Sequence, residues 1–352
     1  MKKKALLAMS GGVDSSVAAC LMMEKGFECT GFTLKLISGF AAKDPYSAED
    51  AGKTAEALGI PHHILDFTDI FKREVILPFI ESYENGSTPN PCVYCNKHVK
   101  FSPFLFAALG GNFDCLATGH YAQIEKSGSR FLLKKAADAK KDQSYVLFSL
   151  DQEALARSVF PLGKLSKEEV RDMAKSRRLA SVNRGESQDI CFIPQGDYGA
   201  FIEAYTGRHY PEGDILSLEG NIIGRHRGII RYTLGQRRGL GVALNYPVYV
   251  YAKDTVKNTV TLGPENSLYA KSLTANRINL IACDNLEKPV KLKAKTRYLQ
   301  KEYSATAFQT GPDEIRLDFD EAQRALTPGQ AAVLYDGDIV IGGGIIQNVL
   351  KM

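Results

Sequence analysis

The chain has 352 residues, too many for one ordinary hydrophobic core, so two or three domains are expected. A hydrophobic content of 44% and a charged content of 24% are those of a soluble globular protein, and no apolar run approaches the length needed to cross a bilayer. The net charge of +4 conceals a basic middle: residues 130–184 carry +6 and residues 221–245 carry +5, which leaves −7 for the remainder and suggests a polyanionic partner.

The first elements alternate strand and helix. Met1-Lys2-Lys3-Lys4 followed by an apolar stretch at 5–9 imitates a signal peptide, but the stretch is short, lacks a cleavage-type segment and reads as a first β-strand. Residues 16–25 read as a helix closed by Gly26, and residues 29–36 as a second strand. Ser47 and the acids after it cap a helix running to Leu58, with Gly59 as its stop. Residues 62–67 read as a third strand, 70–83 as a helix and 113–117 as a fourth strand. That order predicts a parallel sheet with ligands beyond the carboxyl ends of its strands, where Ser10, Leu34 and Thr118 fall. After about residue 210, short alternating runs punctuated by Gly, Asn and Pro predict a small barrel or sandwich. The expected fold is α/β: a parallel-sheet nucleotide-binding domain over 1–200, a small central domain over 201–270 and a C-terminal β-barrel over 271–352.

Two segments concentrate chemistry. Ser10-Gly11-Gly12-Val13-Asp14-Ser15 follows a strand and opens a helix, so its glycines can present backbone N–H groups to an anion. Ser10 and Ser15 add hydroxyl donors, and Asp14 either holds a magnesium ion or orients the loop. No lysine stands where a Walker A loop has one, so this is a different phosphate cradle. The second segment is Asn90-Pro91-Cys92-Val93-Tyr94-Cys95, with a helix expected to begin after Cys95. Beside Lys97 and His98, the Cys95 thiol is expected to have its pKa lowered toward neutrality. A C-x-x-C pair is open to three readings, a zinc site, a structural feature or a sulfur-handling site; no second pair follows at zinc-finger spacing, and the phosphate loop favours the third. Cys191 is a third thiol, and Cys20, Cys29, Cys115 and Cys283 read as apolar filler. Seven scattered cysteines suit a reducing compartment, the cytoplasm, rather than a disulfide framework.

The phosphate loop is similar to that of the N-type ATP pyrophosphatases, which cleave ATP between its α- and β-phosphates and transfer AMP to a substrate oxygen. Residues 10–15, 88–96, 117–122, 141–145, 160–163, 187–192 and 232–237 taken in order resemble the tRNA-specific 2-thiouridylase (MnmA) family along nearly the whole chain. That resemblance implies ATP binding, with Mg2+, by Ala8, Met9, Ser10, Gly11, Gly12, Val13, Asp14, Ser15, Leu34 and Gly119. It implies tRNA contacts from Asn90, Pro91, Cys92, His120, Lys141, Asp142, Gln143, Arg297, Tyr298 and Gln330. Cys95 matches the family's nucleophilic cysteine and Cys191 its persulfide carrier, with sulfur supplied by a cysteine desulfurase or a sulfur-relay protein. The implied reaction adenylates O2 of the wobble uridine and replaces it by sulfur. Some members carry Asp where this chain has Cys92, which leaves the general base unassigned; Cys92, Cys95 and Cys191 could instead ligate an iron–sulfur cluster. The bland readings are a packing role for His120 and ordinary surface for Lys141 and Gln143. The rival classes are a synthetase of small molecules and a non-catalytic iron–sulfur or RNA-binding protein.

Overall fold

The computed structural model describes residues 2–37, 48–102, 105, 110, 112–183, 190–193 and 196–350. Ser47 and Ser187-Gln188-Asp189, which the sequence reading singled out, lie outside these residues.

The apolar run after the lysines forms β1 (Lys4–Ala8), which continues through α1 (Val13–Glu24) to β2 (Glu28–Lys35), β3 (His62–Asp66) and β4 (Cys115–Ala117). These strands are parallel, in the order β3-β2-β1-β4, and the two-residue strand Ser158–Val159 completes the edge. The order reverses at β1, so the crevice beyond the carboxyl ends of β1 and β4 is the natural ligand position. Ser10 lies there just after β1 and Thr118 just after β4. The helix expected at 70–83 is a longer run: Thr68–Phe71, a π-helical stretch Lys72–Ile76, and Leu77–Glu84. Its Phe79 is 1% exposed and packs edge-on against Phe192 and Phe201, and Phe192 also meets Phe71. Phe192, itself 1% exposed, thereby fixes the chain next to Cys191.

Beyond about residue 210 the chain is built mainly of strands, as the punctuation predicts, although three of them run to eleven or twelve residues. Gly213–Leu216, Ile222–His226, Tyr249–Asp254 and Thr259–Gly263 make a four-stranded sheet. Tyr269–Leu280, Glu314–Arg324, Tyr303–Gly311, Val290–Lys295, Ala331–Asp336 and Ile339–Leu350 follow one another in a larger sheet. The first of these strands also pairs with the last, which closes a barrel over its own apolar core. One feature was not anticipated. The hairpin Gln123–Ser127 and Arg130–Lys134, from the nucleotide-binding half of the sequence, joins the barrel sheet through Lys134 and Ile339. Its first strand is mostly polar, and its second carries the short run Phe131-Leu132-Leu133, so neither shows the hydrophobic alternation that marks a strand in sequence. Cys20, Cys29 and Cys115 are buried, as filler would be, and Cys283 is half-buried. Among the described residues no helix is long and apolar enough to cross a membrane.

The aromatic cluster makes one expectation direct. Phe79→Ala should destabilise the unit around the parallel sheet by about 3–5 kcal/mol, read as a lower urea midpoint for the transition that exposes it.

Candidate functional site: a phosphate loop beside three thiols

The phosphate loop is tightly self-organised. Gly11 has φ +72°, a conformation glycine adopts without strain. Gly12 caps α1 with no side-chain hydrogen bond, which leaves the first N–H groups of a twelve-residue helix open to an anion. The Ser15 hydroxyl donates to Gly12 O (3.1 Å) and accepts from Ser10 N (3.2 Å), and the Ser16 hydroxyl also donates to Gly12 O (2.9 Å). Gly119, after β4, lies against the loop. A Cβ there would come within 2.9 Å of Asp14 C and Ser15 N, so no larger residue fits without moving the cradle.

Asp14 has partners the sequence did not disclose. Lys167 Nζ donates to both carboxylate oxygens (2.7 and 2.8 Å) and the Tyr121 hydroxyl donates to Oδ1 (2.8 Å). Lys167, with a side chain only 11% exposed, opens the helix Lys167–Ser176, which Ser166 and Glu169 cap reciprocally. The chain thus brings a lysine to its phosphate loop from more than a hundred residues away. Only the Ser166/Glu169 box was available in sequence to mark that helix start.

The thiol segment differs from expectation in two ways. Its helix begins before the cysteines: it spans Pro91–Cys95, with Pro91 at the first helical position and the Asn90 carboxamide oxygen accepting from Cys92 N (3.1 Å). Proline is pre-set for that position, and asparagine is a strong cap. The thiols are also raised, not lowered. Burial pushes Cys95 up to about 11 and Cys191 up to about 12. Cys92 keeps accessible surface but is closely surrounded by protein, and desolvation raises it too. Removing water from a thiolate costs more here than the short helix and its neighbours restore.

The opposing charge is Lys100, not Lys97 or His98. Its ammonium lowers Cys92, Cys95 and Cys191 against the larger effect of burial. It also adds to burial in holding His120 well below its ordinary value, so that imidazole is neutral. After Cys95 the helix widens into the π-helical segment Asn96–Lys100, whose looser winding changes the angular offset between residues five apart. Such segments recur at functional sites. Cys92 pushes Cys95 and Cys191 upward, and Cys95 also raises Cys191, so the three are electrostatic neighbours. Among the described residues, however, no three His, Cys, Asp or Glu side chains meet closely enough to hold a metal ion.

The residues expected to face RNA are largely engaged with the protein. His120 Nδ1 bonds the Thr118 hydroxyl (2.8 Å), and its ring lies beside Phe101 and Phe160. Asp142 accepts from Ala136 N (3.0 Å) and from the Ser144 hydroxyl (2.7 Å), while Gln143 Oε1 accepts from Tyr121 N (2.9 Å). Lys141 is half-buried beside them. Arg297 donates one nitrogen to Ala325 O (2.9 Å) and the Thr327 hydroxyl (3.0 Å), and Gln330 Nε2 donates to Thr88 O (2.7 Å). Half-buried Tyr298 packs near Tyr145 and adjoins Cys92; burial pushes its phenol up to about 12. Leu34 lies near the carboxyl end of β2, as read from sequence, and Asn90, Pro91 and Cys92 form the start of the thiol helix.

Comparison with known proteins is consistent along the whole chain. A family described as "tRNA methyl transferase HUP domain" matches residues 3–195, a "tRNA methyl transferase PRC-barrel domain" residues 199–264 and an "Aminomethyltransferase beta-barrel domain" residues 270–346. The tRNA-specific 2-thiouridylase MnmA of Acetivibrio thermocellus is 47% identical over 98% of this chain and 99% of its own. That of Treponema denticola is 46% identical over 99% of each. The chain belongs to the tRNA-specific 2-thiouridylase MnmA family. Among solved structures, the U34-tRNA thiolase NcsA from Methanococcus maripaludis with its 4Fe–4S cluster is 20% identical, with a TM-score of 0.34 over 58% of this chain and 64% of that one. A likeness at that score carries no argument about chemistry.

Two outcomes follow within this family's site. Gly119→Ala should displace the phosphate loop and raise the KM for ATP about tenfold or more, with tRNA affinity unchanged in a binding titration. Lys100→Met removes a cation that favours thiolate, so the alkylation profile of Cys95 should move to higher pH and its rate at fixed pH should fall. Lys100→Arg should retain the original profile, and site-resolved mass spectrometry of alkylated protein reads both.

Proposed function

We propose that the chain is a tRNA uridine 2-sulfurtransferase that adenylates O2 of the wobble uridine and replaces it by sulfur. The observation that carries the reading is the adjacency of two chemistries. Gly119 presses on the phosphate loop, and its neighbour His120 shares Lys100 with Cys92, Cys95 and Cys191. The full-length relatives named as 2-thiouridylases support the same conclusion.

ATP, carried with Mg2+, would lie across Ala8 to Ser15 with Leu34 and Gly119, its phosphates on the open N-terminus of α1. Asn90, Pro91, Cys92, His120, the Lys141-Asp142-Gln143 turn, Arg297 and Tyr298 would form the tRNA-facing rim. Uridine O2 attacks the α-phosphorus, and pyrophosphate leaves. The terminal sulfur of a Cys191 persulfide then attacks C2, and AMP leaves with the oxygen. Cys95 as thiolate attacks Cys191 Sγ, which forms a Cys95–Cys191 disulfide and frees the 2-thiouridine. A thiol reductant and a persulfide donor, a desulfurase or relay protein, reset the enzyme. A persulfide suits a site that raises thiol pKa values, because its outer sulfur ionises more readily than a thiol.

Two of the family descriptions name methyl transfer. An ATP-type phosphate loop next to three thiols supplies groups that methyl transfer does not need, so sulfur transfer fits the residues better.

The deciding experiment incubates metal-free protein with ATP, Mg2+, a desulfurase with cysteine, and unmodified tRNA, followed by mass spectrometry of the nucleosides. The expected product is 2-thiouridine. Cys191→Ser and Cys95→Ser should each abolish it while pyrophosphate release stimulated by tRNA persists. A methylated nucleoside would refute the reading, and product appearing only after anaerobic iron–sulfur reconstitution would overturn the persulfide route.

A further inference from the structure

Two residues before the Asn90 cap, Thr88 bonds to a turn of the barrel and to the central region. Its N–H donates to Pro328 O (2.9 Å) and its carbonyl accepts from Gln330 Nε2 (2.7 Å), so the barrel holds both faces of one peptide unit's neighbourhood. Its hydroxyl reaches the Thr233 hydroxyl of the central region at the limit of a hydrogen bond (3.5 Å). Gly329, between the two barrel partners, has φ +90°, and a Cβ there would come within 3.0 Å of Thr88 N, C and O. The turn therefore lies flat against the Thr88 backbone.

Gln330 delivers its amide from a fixed base. Its own N–H donates to Thr327 O (3.2 Å) and its carbonyl accepts from Ile346 N (2.8 Å). From Thr88 the chain reaches Cys92 through Pro89, Asn90 and Pro91, whose two rings fix φ and leave little slack. A shift at Thr88 is therefore passed to the Asn90 cap and to the first cysteine.

We propose that Gln330 is a positioning residue that holds the thiol helix in register by tethering Thr88, rather than acting chiefly as a contact to RNA. The barrel so becomes a structural part of the sulfur site, although it contributes no thiol. Only the kinetic half of the test rests on the 2-thiouridylase reading.

Two variants perturb the same contact from different sides. Gln330→Met removes the donor at similar length, and Gly329→Ala crowds Thr88 without removing any group that RNA could touch. In both, alkylation of Cys92 and Cys95 by iodoacetamide in the tRNA-free protein should change at least threefold relative to wild type, while alkylation of Cys283 stays constant. In both, thiolation at saturating tRNA should fall about tenfold or more, since small misplacements of reacting groups cost rate steeply, and tRNA Kd should be unchanged. A thermal melt confirms that each variant is folded. Weaker tRNA binding with the saturating rate intact in Gln330→Met would overturn the proposal in favour of a direct RNA contact. Unchanged alkylation in both variants would overturn it outright. If the wild type makes no 2-thiouridine, the functional reading fails, and the alkylation comparison still decides whether the tether positions the thiols.

Discussion

Withdrawal of the thiols from water is the constraint on which the rest of the site turns. A buried sulfur keeps its proton, because the protein interior solvates a thiolate less well than water does. Cys95 and Cys191 pay heavily in that respect. Chemistry at the site therefore depends on one partly buried cation, Lys100, shared by all three sulfurs and by the neutral His120. The arrangement has a protective side. Thiols held protonated react slowly with stray oxidants and electrophiles, whereas a persulfide on Cys191 would become nucleophilic without any change in its surroundings.

The two chemistries are joined by packing rather than by a shared element. Gly119 and His120 are consecutive, yet one touches the phosphate loop and the other the group around Lys100. The loop is braced by Lys167 through Asp14 and Tyr121, and the thiol helix by Thr88 and the barrel turn. Each half of the site is thus held by residues distant in sequence. Disturbing either brace should reach the chemistry without touching a reacting atom.

Much of this could be read from the chain in advance, for a physical reason. The parallel sheet follows from apolar runs spaced by helices, and the phosphate loop from a strand, two glycines and a helix start. Those are local signals. The barrel strands were likewise anticipated from alternation, although not the long Tyr269–Leu280 or the hairpin that ends at Lys134. The misses share a cause. Helix onset at Pro91 depended on whether Asn90 turned its carboxamide back onto Cys92 N. The thiol pKa values depended on how much protein closed over them, and the choice of Lys100 over Lys97 on a π-helical turn. Lys167 and Thr88 matter through contacts that span the chain, and nothing in their immediate neighbours announces that.

The hairpin that leaves the nucleotide-binding half to join the barrel has a consequence for biosynthesis. Lys134 finds its partner Ile339 about 200 residues later, so at roughly 5–20 residues per second the hairpin waits on the order of ten to forty seconds for the strand that completes its sheet. Throughout that interval an unpaired strand edge is presented to the crowded surroundings of the ribosome. Its charged faces, with Glu125, Lys126, Arg130 and Lys134 along two short strands, are what a nascent edge requires to remain soluble until the last strand emerges.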